Sequence, residues 1–151
     1  MNYISTRNNQ SNYTFKEVFL KGLADDGGLF VPRSIKQFKK EELEELKSIS
    51  YNDLAAEIIY PFIGDFMTKD QLISLISKSY SNFRSNDVVK ISNLGNLKVL
   101  ELFHGPTLAF KDIAMQLIGN LYQYHLGRDQ KKINIIVATS GDTGAAAIDA
   151  L

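Results

Sequence analysis

Three consecutive segments constrain the fold of this chain more than any other feature. They are a β-rich run at residues 97–103, an amphipathic pattern over about 110–126, and a nearly unbroken apolar run at 133–138. In the middle segment Phe110, Ala114, Leu117, Leu121 and Tyr124 recur at steps of three or four, which makes one helical face apolar. Gly127 stands where the residue just past a helix end belongs, and the polar stretch Arg128-Asp129-Gln130-Lys131-Lys132 then connects to the last run. That run, from Ile133 to Ala138, shows no alternation, as expected of a parallel strand covered on both faces. Strand, helix and strand make a βαβ unit with a right-handed crossover. The expected class is α/β, with this unit as the start of a parallel sheet.

Ligands in such sheets collect beyond the carboxyl ends of the strands. Two turns lie there. His104-Gly105-Pro106-Thr107 leaves the first strand and brings Lys111 to the start of the helix. The helix dipole disfavours a second positive charge at that position and favours the neutral, nucleophilic form of an amine. Lys111 is therefore a candidate for a Schiff base with a carbonyl cofactor, although most lysines near a helix start are solvated surface groups. The neighbouring Asp112 reads most simply as a first-turn acidic residue favoured by the dipole. The second turn, Ser140-Gly141-Asp142-Thr143-Gly144, has the build of an anion cradle: glycines, two hydroxyls, and a following helix whose N–H groups point at a negative group. Taken alone, the motif reads more simply as a capped helix start after a glycine turn. His104 either contacts a ligand or satisfies its own turn. His125, near the far end of the helix, reads as a dipole partner.

Upstream, residues 14–83 read as a mostly helical unit. Residues 3–6 suggest a short strand, and Thr14-Phe15-Lys16-Glu17 is a capping box opening a helix with Phe15, Val18 and Phe19 inward. Gly22 ends that helix. Asp25-Asp26-Gly27-Gly28 is turn chemistry before a short buried strand, Leu29-Phe30-Val31, stopped by Pro32. A charged helix follows at 41–49, with Leu43 and Leu46 inward. Asn52 or Asp53 caps a helix over 54–60 that Pro61 interrupts, and Thr68-Lys69-Asp70-Gln71 is a second capping box. Leu94-Gly95-Asn96 reads as a turn.

Composition narrows the function classes. The 17 basic and 17 acidic residues cancel, so nothing suggests binding to nucleic acid or anionic lipid. Cysteine is absent, which removes thiolate metal sites and cysteine nucleophiles, and the two histidines lie too far apart in sequence to suggest a metal centre. No apolar run is long enough to cross a membrane, and no secretory signal opens the chain; a cytoplasmic enzyme is the expectation.

Three motifs resemble one family. His-Gly-Pro-Thr-Leu-Ala-Phe-Lys-Asp at 104–112 resembles the pyridoxal-phosphate lysine segment of the threonine synthase family, within the fold-type II, tryptophan-synthase-β-like group. Ile4-Ser5-Thr6-Arg7 with residues 22–32 is similar to its amino-terminal signature, and residues 138–146 to its substrate-binding loop. The resemblance implies an amino-terminal region at 1–85 and the first part of a catalytic domain at 86–151. It implies pyridoxal 5′-phosphate on Lys111, with Phe110, His104 and Asp142 as cofactor contacts. It implies O-phospho-L-homoserine as substrate, its carboxylate held by Ser140, Gly141, Asp142, Thr143 and Gly144. Related enzymes often carry Asn where Asp142 stands. The family's later glycine-rich loop for the cofactor phosphate has no match here, so the chain reads as an amino-terminal fragment without activity of its own. A phospho-lyase with another product, or a non-catalytic anion-binding module, are the competing readings.

Overall fold

A computed structural model describes residues 1–64, 66–129 and 132–151, the side chains of Arg128 and Asp129 apart. The chain forms two compact units, Met1–Ile73 and Ser74–Leu151. Part of the polar connection expected at 128–132 lies outside the described residues.

In the first unit β1 (Tyr3–Ser5) pairs antiparallel with β2 (Phe30–Pro32), Tyr3 opposite Pro32 and Ser5 opposite Phe30. The capping box at Thr14 and Glu17 forms and opens α1 (Phe15–Lys21), which ends at Gly22 with φ of 73°. Such a cap contributes about 1 kcal/mol. The face of α1 supplies aromatic packing: Phe15 stacks on Phe19 at 5.4 Å between centroids and meets Phe66 edge-on at 5.3 Å. Tyr3 donates its hydroxyl to the carbonyl of Phe62 at 2.8 Å, which ties the sheet to the end of a later helix.

The middle of this unit departs from the sequence expectations. β2 is half-buried and takes in Pro32, while Leu29 is exposed. α2 (Lys40–Leu46) leaves Leu43 exposed, so Leu46 alone of the expected pair is half-buried. α3 (Tyr51–Ile63) starts earlier than expected because Ser50 caps it, accepting the N–H of Asp53 at 3.2 Å. Pro61 lies inside this helix and does not break it. Burial of Ile63 offsets the lost backbone bond, since sealing an isoleucine from water contributes on the order of 2 kcal/mol. The capping box at Thr68 and Gln71 forms as expected and opens α4 (Lys69–Tyr80).

In the second unit, β3 (Lys90–Leu94) and β4 (Leu97–Glu101) form an antiparallel hairpin around Gly95 and Asn96, with Lys90 opposite Glu101. Both strands are largely exposed, not buried. α5 (Asp112–Asp129) follows, then α6 (Asp142–Asp149). Gly127 lies within α5, so the helix passes the expected stop.

The chain is mixed α/β, but the βαβ unit is not closed among the described residues. β4 pairs with β3, and residues 133–138 carry no strand ladder; Ile136 is 94% exposed. A parallel strand exists only through its neighbours, and no described segment pairs with this one. The buried face of α5 also differs from the apolar stripe. Phe110 and Ala114 are exposed, whereas Leu117 and Leu121 are buried beside Gln116 and Asn120. Those amides are satisfied: Gln116 donates to Asp149 at 2.6 Å, and Asn120 to Ser79 at 3.1 Å. Gly119 permits the close approach of α6, because a Cβ there would sit 2.1 Å from the carbonyl oxygen of Ala150.

Candidate active site

The turn between β4 and α5 is braced from two sides. At the end of β4, the Glu101 carboxylate accepts a hydrogen bond from Ser92 Oγ and pairs with His104 Nε2 at 2.9 Å. The Ser92 hydroxyl, and then His104, hold the Glu101 carboxyl below its ordinary range. This geometry gives His104 a partner inside its own turn. Arg84 grips the same turn: its N–H donates to the His104 carbonyl at 2.8 Å, and Nη2 donates to the Pro106 carbonyl at 3.2 Å.

Asp112 braces the other side. Its side chain is fully buried, and both oxygens are used. Oδ2 accepts the Thr107 N–H at 2.9 Å, and Oδ1 accepts the Thr107 hydroxyl at 2.6 Å. Gly105 lies against this carboxylate so closely that a Cβ would fall 2.4 Å from Oδ2. Asp112 is therefore more than a first-turn acid facing a dipole.

Lys111 occupies the position directly before α5. Its carbonyl accepts the N–H groups of Ala114 at 3.2 Å and Met115 at 2.9 Å, which starts the helical ladder. Its amine lies 4.6 Å from the centroid of the exposed Phe110 ring. No carboxylate of the described residues lies within ion-pair distance of it. An amine at a helix start, half-buried and without a carboxylate partner, suits attachment to an aldehyde. The residues present thus fit the lysine-bearing part of a pyridoxal-phosphate site.

The second turn is built differently. Gly141 caps α6 with φ of 146°, and Thr139 supplies the side-chain contacts. Thr139 Oγ1 accepts the N–H of Gly144 at 2.9 Å and that of Gly141 at 3.3 Å. Two of the donors expected to face an anion are thus engaged by the loop itself. The N–H groups of Asp142 and Thr143 still precede the helical ladder. Ser140, Gly141 and Asp142 are exposed, Thr143 is half-buried and Gly144 is buried. Among the described residues no hydrogen bond or ion pair joins 104–112 to 139–144; the packing of α5 on α6 relates the two turns. Among the same residues, no acidic and histidine cluster suits a metal, and no helix is long and apolar enough to cross a membrane.

Sequence reasoning missed Arg84, Thr139 and the roles of Glu101 and Asp112. Arg84 is twenty residues from the atoms it holds, so only the folded chain reveals it. Thr139 accepts from an N–H five residues on, outside the spacing of a side-chain cap, so no local pattern announced it.

A mixed α/β chain with a lysine at the threshold of its longest helix and a hydroxyl-capped glycine turn before the next defines the class. The family profile described as threonine synthase N terminus matches residues 2–80, just over half the chain. The chain is 43% identical to threonine synthase of Schizosaccharomyces pombe over 98% of its own length and 31% of that protein's. It is 42% identical to threonine synthase-like 2 of Xenopus laevis, over 100% of this chain and 32% of the relative. The crystal structure of PLP-bound threonine synthase from Brucella melitensis matches with a TM-score of 0.92 and 41% identity, covering 99% of this chain and 32% of that one. The chain belongs to the threonine synthase family. It spans about a third of the length of the relatives it matches.

Proposed function

We propose that the full-length protein is a cytoplasmic, pyridoxal-phosphate-dependent threonine synthase, which converts O-phospho-L-homoserine and water to L-threonine and phosphate. Residues 1–85 would be its amino-terminal region and 86–151 the first part of its catalytic domain. The observation that carries this reading is Lys111, poised before α5 with its amine against Phe110 and no carboxylate partner among the described residues. The PLP-bound relative from Brucella supports the choice of cofactor.

When bound, pyridoxal phosphate supplies an electron sink for negative charge on the substrate carbons. Lys111 would hold it through Nζ, and as a free amine would move protons between those carbons. Phe110 would screen that amine from water, with His104 and Asp142 toward the cofactor. Ser140, Gly141, Asp142, Thr143 and Gly144 would receive the substrate carboxylate, chiefly on the N–H groups of Asp142 and Thr143 at the start of α6. Lys111→Ala in the full-length protein is expected to abolish borohydride-fixed attachment of the cofactor. An unchanged labelled mass would refute the assignment. Residues 1–151 alone are expected to release no threonine.

Relatives named threonine synthase-like 2 favour a second reading, a phospho-lyase of the same chemistry with another product. Phosphate release without threonine would select it.

A further inference from the structure

Among the described residues, Leu108 is the one non-glycine residue with a positive φ. Its φ is 65°, in the left-handed region that a bulky branched-chain residue avoids, and its side chain is half exposed, so burial does not hold it there. Its two neighbours do. Asp112 takes both donors of Thr107 on one side, and on the other its own N–H donates to the Ala109 carbonyl at 3.0 Å. The strained residue is thereby bracketed by one aspartate, which is itself fully buried and pressed on Gly105. Phe110 and Lys111 lie inside that bracket, between Ala109 and Asp112.

We propose that Asp112 is a positioning residue: by clamping Thr107 and holding Leu108 in its strained conformation, it sets where Lys111 presents its amine. This rests on the proposed role of Lys111 as the attachment point for pyridoxal phosphate. Asp112 touches no reacting atom. It acts through the turn.

The test uses the full-length protein with pyridoxal 5′-phosphate as probe. Borohydride fixation and peptide mass spectrometry read the rate of attachment at Lys111, and thermal unfolding reads stability. Thr107→Val removes the hydroxyl bond at nearly constant volume. Asp112→Asn keeps the shape but turns an amide N–H toward a donor. Each is expected to slow attachment about tenfold or more, since small misplacements of a reacting group cause losses of that order. Thr107→Ser is expected to restore the parent rate. Leu108→Gly, added to Asp112→Asn, is expected to recover much of the loss, because glycine adopts this conformation without strain. Should Asp112→Asn fail to fold, Thr107→Val decides.

A lowered Tm with attachment within about twofold of the parent overturns the proposal, because Asp112 would then only stabilise the turn. If Lys111→Ala still takes up the cofactor at the parent rate, the proposed function falls and the positioning role falls with it. If Lys111 is the attachment point but the Thr107 and Asp112 variants match the parent, positioning alone falls.

Discussion

α5 and α6 start in opposite ways. The turn before α5 is closed: Arg84 binds two of its carbonyls, and a buried carboxylate from within the helix takes both Thr107 donors. The turn before α6 is open: one exposed hydroxyl, Thr139, holds two N–H groups, and the loop around it faces solvent. A lysine that must meet an aldehyde at a defined angle benefits from the first arrangement, because misplacement costs rate steeply. A loop that receives a small anion can tolerate the second. The difference separates a turn that presents a group from one that accepts a ligand.

The comparison predicts a ladder of effects. Gly105→Ala should be the most damaging, because a Cβ would overlap the Asp112 carboxylate and force the buried clamp open. We expect a loss of about 3 kcal/mol in urea unfolding, at the upper end for overpacking. Thr139→Val should cost about 1 kcal/mol, the usual net worth of a hydrogen bond, since two backbone N–H groups lose their acceptor but remain near solvent. If Thr139→Val proves the more damaging of the two, the contrast between closed and open turns is wrong.

Acid should act on the closed turn through Glu101. Its carboxyl is held below the ordinary 4.5 by Ser92 and then His104, so on acidification the unfolded chain takes up this proton first. The resulting stability is fully present above the ordinary value and is lost as pH falls through the lower folded one. The urea midpoint should therefore decline on acidification below 4.5, and Glu101→Gln should remove part of that decline. Ser140→Ala, on the open turn, should change stability by no more than about 0.5 kcal/mol. A larger change would show that this loop carries structure after all.

Much of the chain was legible from local chemistry. The boxes at Thr14 and Thr68, the Gly22 stop, the Gly95-Asn96 turn and the arrival of Lys111 at a helix start all depend on atoms within a few residues of one another. The errors have a common cause. Periodicity points Leu43 inward, yet it is 49% exposed; Pro61 signals a break, yet it lies inside a helix that continues to the buried Ile63. On α5 the apolar stripe misjudged the buried face, because Gln116 and Asn120 find partners that periodicity does not register.

By itself the sequence determined where helices begin, which residues could carry chemistry, and which family the motifs resemble, because capping and turn formation are short-range and cooperative only over a turn or two. Tertiary structure alone decided that Asp112 is a buried clamp and that Arg84 holds a turn some twenty residues away. Each of those depends on burial or on a partner brought from a distance. The same carboxylate that is a solvated acid in an isolated helix becomes, once water is excluded, a group that must find its donors.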